Sequence, residues 1–542
     1  MLKIKNIIPF VILLILLIFT RYVNISWGIP HMFHPDERNI IVSLGQLHCN
    51  NIFNLKDCLN PHFFAYGQFF LYLGYLFKSI THITSFFDMA LILRFLSATF
   101  SVFTTLIGFL IIKKLTQRYL KKYSKKTIEF GGFFVLIFSP ILIQIAHFGT
   151  TESILVFLYT SIIYTSLLFL DKKVSSFKWL VISSVLIGIA IATKISSLIF
   201  LFVPLITLYL YKDKSIKQRL PYLLHVLFLT FVFAIIFSPH NLISYRSFLG
   251  SLNYESAVAL GRVKVFYTNQ FEMSVPIFFQ IIKVFPYTLG VPVFIFFILG
   301  LFFLPKNKEF NFLKLSFLAY FIPSSFLYAK WTRFMAPVFV LMVIIAYIFL
   351  LEMLLKKLKK PIFRNIFFWV FIFFMTLPGI IFTSIYFKID TRAQASNWTI
   401  KNVQDNSFIL SETANVVDIP FGKRNNKKFN IESFDFYNID SNDDLYKTLQ
   451  KNIKEADYIM VPSRRIFANY TCLMQKDPLS FSRGRCAYLE KKYPRINKYY
   501  KDLFSGKLGF KKVAEFKLFD DEFAEETFSV FDHPVVRIYK RI

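Results

Sequence analysis

The sequence predicts a polytopic α-helical membrane protein that ends in an extracytoplasmic α/β domain. Three observations lead there. Of the 542 residues, 55% are hydrophobic, 70 of them are Phe, and the mean hydropathy is +0.50; a water-soluble fold of this length lacks the interior to hide so much apolar surface. Uncharged runs of about 20 residues, the length that crosses bilayer hydrocarbon, recur along the chain. After residue 389 those runs stop, and mixed polar sequence continues for long enough to build its own core.

Taken in order, the apolar stretches fall at 6–22, 90–112, 130–147, 153–170, 179–193, 196–211, 221–238, 286–304, 312–329, 334–355 and 363–387, or about 11 transmembrane helices. The first resembles a secretory signal, but Thr20-Arg21-Tyr22 stands where a small-residue cleavage site would be, so it is read as an uncleaved anchor with a cytoplasmic N-terminus. The stretch 63–80 is decided by parity. Were it a span, the loop carrying Lys113, Lys114, Arg118, Lys121, Lys122, Lys125 and Lys126 would lie outside. As a helix lying on the outer surface, it leaves that loop in the cytoplasm with Lys172, Lys173, Lys178, Lys212, Lys214, Lys217, Arg219, Lys306, Lys308 and the run 356–360. The second arrangement satisfies the positive-inside bias throughout. The same bias accounts for the net charge of +30, so no nucleic-acid partner is expected. There is no internal repeat and no Walker-type phosphate loop, which argues against an ATP-driven pump.

This topology makes 1–389 a membrane domain and 390–542 an outer α/β domain, with helices at 390–402 and 443–454 and strands at 407–411, 458–461, 511–518 and 535–539. It also puts the first loop (23–89), the turn 147–153, the surroundings of Lys194, the loop 239–285 and the turn 330–333 on the outer face. Cys49, Cys58, Cys472 and Cys486 all lie there, as two local pairs. Two disulfides or four free thiols both fit; a zinc site, which wants closer pairs, does not.

The unusual polar residues gather on that face. Asp36 and Glu37 follow Pro35, so they suit the first turn of a short helix, and they also suit chemistry at a membrane surface, where ionised groups are costly without a role. Asp36 is the candidate general base, and Glu37 would orient it or bind an acceptor. Glu152, at the outer start of a span, either sits at a helix N-terminus that tolerates acid or supplies a second carboxylate. Lys194 and Arg333, at outer span ends, either snorkel or hold an anionic lipid phosphate, whose charge grows as it departs. His240, Asn241, Tyr254, Glu255 and Arg262 are weaker candidates that loop solvation explains equally well. A transfer driven by Lys and Arg needs no metal, whereas Asp36 and Glu152, with Glu37, offer the hard oxygens that Mg²⁺ or Mn²⁺ prefers.

These residues resemble the GT-C membrane glycosyltransferases, in the branch of the dolichyl-phosphate-mannose–protein mannosyltransferases and the aminoarabinose transferase of lipid A. The likeness is carried by Asp36-Glu37, by NPHFFAYG (60–67), by Arg94-Phe-Leu-Ser, Glu152, Ala192-Thr-Lys194 and Arg333 with Pro337, and in the tail by RAQASNW (392–398), ADYIMVPS (456–463), LFSGKLGF (503–510) and FSVFDHP (528–534). It implies a polyprenyl-phosphate-linked monosaccharide donor, a protein, glycan or lipid acceptor, and an inverting transfer at the outer membrane face. Glu152 stands where the family more often has Asp, and the family's Lys-Pro-Pro-Leu phrase is absent, which argues against lipid A as acceptor. Two other classes compete. A lipid-sugar flippase or transporter would set ionisable groups near the midplane, often in repeated halves. A non-catalytic envelope assembly protein would have no need of Asp36.

Overall fold

The structure, a computed structural model, describes residues 4–542 except Ile52, Lys121, Lys212, Lys214, 413–418, 422–427 and 475–478. Lys121, Lys212 and Lys214 of the basic loops therefore lie outside the described residues. The membrane part is helical: α1 (Ile4–Tyr22), α2 (Pro35–Gln46), α3 (Phe69–Thr81), α4 (Phe86–Thr116), α5 (Lys125–Ile137), α6 (Pro140–Gln144), α7 (Glu152–Leu170), α8 (Ser176–Thr193), α9 (Phe202–Leu210), α10 (Ile216–Phe237), α11 (His240–Ile243), α12 (Tyr245–Ala259), α13 (Phe285–Leu289), α14 (Val291–Phe303), α15 (Lys308–Ser325), α16 (Phe339–Lys357) and α17 (Pro361–Thr383).

Helix covers most of every stretch read as a span. Among the described residues, six helices are long and apolar enough to cross a membrane, or up to eight if each of two bent pairs is one span. The runs 286–304 and 312–329, expected as two spans, fall largely on α14 and α15, a pair bent by 118°. The run 130–147 bends by 56° between α5 and α6, where Pro140 cannot continue the preceding helix. Arg21, fully buried, donates to the Ile137 carbonyl at 2.9 Å and to the Ser101 hydroxyl at 2.9 Å, and so satisfies backbone that the break leaves open. The helix α3, at 13 residues, is too short to span. The lipid-facing extreme is α10, where Leu220, Leu224, Phe228, Phe231 and Ile236 are all exposed.

Charged loops meet at one end of the bundle. Lys114 pairs with Asp171, Lys172 with Asp213 at 2.7 Å, and Arg118 with Glu309; Lys308 donates to the Leu170 carbonyl at 3.1 Å, and Arg364 to that of Lys122 at 2.6 Å. The opposite end carries the tail.

In the tail, α18 (Thr391–Asn402) leads to β1 (Phe408–Glu412) and β2 (Asn430–Phe434). Then follow α19 (Asp443–Glu455), β3 (Tyr458–Val461), α20 (Arg465–Tyr470), α21 (Arg485–Lys492), α22 (Pro494–Phe504), β4 (Phe510–Phe516), α23 (Glu526–Val530) and β5 (Val536–Arg541). The sheet order is β2-β1-β3-β5-β4; β1 runs parallel to β2 and β3, and β5 is antiparallel to both neighbours. Each strand and helix expected in the tail is found within a few residues; β2 and the short helices α20 to α23 are additions. Disulfides join Cys49 to Cys58 and Cys472 to Cys486. The tail is bonded to the membrane part: Gln144 donates to the Phe528 carbonyl at 2.7 Å, and Val275 N–H to that of Ser480 at 2.9 Å.

Candidate active site

Pro35 opens α2, so Asp36 and Glu37 fall in its first turn, where free N–H groups favour carboxylates. Glu37 is fully buried. It accepts from Arg94 Nε at 2.7 Å, from Arg94 Nη2 at 2.8 Å and from the Gly149 N–H at 2.7 Å. Arg94 also donates to the carbonyls of Ile25 at 3.0 Å and Trp27 at 2.7 Å. One bidentate pair thus fastens the first loop to α4 and to the turn before α7. Gly149 allows this closeness: a Cβ there would lie 2.6 Å from the Leu93 Cβ.

Asp36, one residue earlier, points another way and forms an ion pair with Arg333. The Arg333 guanidinium lies 4.9 Å from the Trp331 ring centroid. Beside it sits a second acid–base pair. The chain leaves helical geometry at Lys194, just past α8, and Lys194 Nζ reaches Glu152 Oε1 at 3.3 Å. The same ammonium is 5.3 Å from the Tyr66 ring and 5.7 Å from the ring of Phe334, the neighbour of Arg333. Tyr66 is delivered by Gly67, whose N–H donates to the Thr193 carbonyl at 2.9 Å. A Cβ on Gly67 would fall 2.0 Å from the Ala192 carbonyl oxygen, so only glycine lets the surface loop seat on the end of α8.

The tail forms the remaining wall. Glu525 accepts from the Thr332 N–H at 3.0 Å and from its hydroxyl at 2.9 Å. The adjacent Glu526 pairs with Arg465 at 3.0 Å, and the Arg465 guanidinium lies 5.7 Å from the Tyr267 ring, itself 6.0 Å from Trp331. His34 is buried between the Phe148 and Phe531 rings, 4.9 and 4.2 Å away. Burial, reinforced by the charges of Arg333, Arg94, Arg465 and Arg38, holds its imidazole well below the ordinary histidine range, so it is neutral at pH 7.

The sequence candidates therefore separate. Asp36, Glu152, Lys194 and Arg333 converge as two neighbouring pairs. Glu37 does not: both its oxygens are occupied by Arg94 and the Gly149 N–H. His240 and Asn241 are braces. The His240 N–H donates to Gln68 Oε1 at 3.0 Å and its Nε2 lies 2.9 Å from the Cys58 carbonyl, while Asn241 Oδ1 accepts from Gln68 Nε2 at 2.9 Å. Glu255 lies within electrostatic range of Lys194 and Tyr66. Tyr254 and Arg262 are exposed on the loop. The sequence left metal dependence open. Among the described residues no three His, Cys, Asp or Glu side chains group as a metal ion requires, and Asp36, Glu37 and Glu152 each already hold a cationic side chain. That donor set does not fit a divalent ion. Sequence reasoning missed Arg465, Glu525 and His34, and it gave no role to Tyr66 although it stands in the quoted phrase NPHFFAYG. Arg94, likewise quoted, proves to be the partner of Glu37.

Residues 72–240 match the family model described as dolichyl-phosphate-mannose-protein mannosyltransferase. The fold is that of the archaeal oligosaccharyltransferase AglB from Archaeoglobus fulgidus in complex with an inhibitory peptide and a dolichol-phosphate: TM-score 0.51 at 13% identity, over 90% of this chain and 72% of that one. The matched segment thus resembles that mannosyltransferase family, and the whole chain shares the fold of AglB. The Archaeoglobus fulgidus oligosaccharyltransferase in complex with Zn and sulfate aligns at TM-score 0.50 and 13% identity over 89% and 70% of the two chains. ArnT from Cupriavidus metallidurans bound to undecaprenyl phosphate aligns at TM-score 0.49 and 13% identity over 84% and 92%. No curated protein matches the sequence.

Proposed function

We propose that this chain is a GT-C-type inverting glycosyltransferase that moves a monosaccharide from a polyprenyl-phosphate carrier to an acceptor hydroxyl at the outer membrane face. The observation that carries the reading is the meeting of Asp36 with Arg333 beside Glu152 with Lys194, at the end of the bundle opposite the lysine-rich loops. An acceptor hydroxyl cannot attack at neutral pH unless a base takes its proton as the new bond forms, and Asp36 is the base. Arg333 and Lys194, each exchanging part of its carboxylate contact for phosphate oxygens, stabilise the charge on the departing lipid phosphate. One in-line displacement inverts the anomeric carbon and needs no sugar–enzyme intermediate. Glu37, locked to Arg94, fixes the direction in which Asp36 points. The binding of dolichol-phosphate and a peptide by AglB favours a lipid-phosphate donor and a protein acceptor here.

The test uses purified protein in lipid, supplied with polyprenyl-phosphate sugars and candidate acceptors. Asp36→Asn should cut transfer by ~10²–10⁴-fold, the usual worth of a positioned base. Transfer that survives this replacement would remove Asp36 as the base, and passage of intact lipid-sugar across vesicles without transfer would favour a flippase.

A further inference from the structure

We propose that Glu525 and Arg465, both carried by the tail, are positioning residues for the Asp36–Arg333 pair, so that the site is complete only with the tail docked. This rests on Asp36 acting as the base. Arg333 comes from a short 3₁₀ segment, Thr332–Val338, whose opening residue is held at two points by Glu525, through backbone N–H and hydroxyl together. Glu525 is itself fixed, because its N–H donates to the Lys283 carbonyl at 2.8 Å and its carboxylate accepts from the Thr527 N–H at 3.0 Å. A second line of contact runs through side chains, from Glu526 to Arg465, to the Tyr267 ring, to Trp331 and to the guanidinium of Arg333. Two routes from neighbouring tail residues therefore reach Arg333, the cation paired with Asp36, one through the adjacent Thr332 and one through Trp331. Arg465 is 5% exposed, pairs with Glu526 through Nη1, and turns its guanidinium toward the Tyr267 ring of the membrane part.

The charges around Asp36 give the idea a signature that a purely structural clamp would lack. On its own loop stand neutral His34, Glu37 balanced by Arg94, and Arg38; in the membrane part Arg333 pairs with it and Glu152 with Lys194 stand beside that pair; from the tail Glu525 and Arg465, the latter paired with Glu526, act electrostatically on Arg333. Glu525→Gln keeps an oxygen for Thr332 but removes a negative charge, which eases ionisation of Asp36. Arg465→Gln removes a positive charge and has the opposite effect.

The experiment measures kcat against pH for full-length protein in lipid, with thermal melting as a control on folding. The acid limb should move to lower pH in Glu525→Gln and to higher pH in Arg465→Gln, with kcat reduced several-fold in each and Arg465→Lys returning toward the parent profile. The position of a limb does not depend on how much protein is folded, so partial unfolding cannot imitate the shift. Profiles that superimpose on the parent in both variants would overturn the positioning role. Because Asp36→Asn is assayed alongside, an active Asp36→Asn would instead mark failure of the base assignment.

Discussion

Asp36 and Glu37 are one step apart on α2, about 100° of rotation, and that rotation separates their work. Glu37 turns inward to the guanidinium of Arg94, while Asp36 meets Arg333 at a place where both side chains keep some exposure. A buried pair such as Glu37–Arg94 contributes little net stability when intact but is costly to halve, since the survivor stays charged and out of water. Arg94→Leu should therefore destabilise the protein by about 3–5 kcal/mol, read as an earlier thermal transition in detergent. The double variant Glu37→Leu with Arg94→Leu should lose less than the two single losses summed. If the losses simply add, the coupling is absent. The acids themselves were legible in the sequence because a carboxylate at a membrane edge asks for a reason. Their partners were not, since nothing local to Asp36 in the chain names Arg333.

At the level of elements, legibility followed periodicity. The strands β1 and β3 are almost wholly buried and read as short apolar runs, whereas β2 at the sheet edge buries one residue of five and shows no pattern to find. Span geometry was less legible for a related reason: an apolar run looks the same whether it is straight, bent at Ser139-Pro140, or folded on itself as in α14 and α15. The carboxyl end of β1 makes a prediction of its own. Glu412 is buried, with the Tyr500 hydroxyl donating to it at 2.7 Å. Burial pushes its carboxyl up to about 8, against the pull of Tyr500 and Arg537. The folded tail thus holds a proton that the unfolded chain releases near pH 4.5, so this group's stabilising contribution is full below that pH and is lost as pH rises through 8, by about 1.4 kcal/mol per unit within the window. Glu412→Gln should flatten the fall in melting temperature between pH 5 and 8; an unchanged slope would assign that fall to another group.

The whole molecule is polarised along its long direction. One end ties its basic loops together through Lys114–Asp171, Lys172–Asp213 and Arg118–Glu309, and the other gathers both disulfides, the paired acids and the tail. Composition foretold the segregation, because lysine placement follows topology. It did not foretell that the tail would be built into the site, since Glu525 and Arg465 lie in sequence that carries no pattern pointing back at the bundle. Segregation of this kind governs what a reconstituted sample can report. Proteoliposomes filled at random hold molecules facing both ways, and a water-soluble substrate added to the bath reaches only those whose reactive pole looks outward. Permeabilising the vesicles should then raise the measured rate about twofold; a rate that stays level would mean insertion had been one-way from the start.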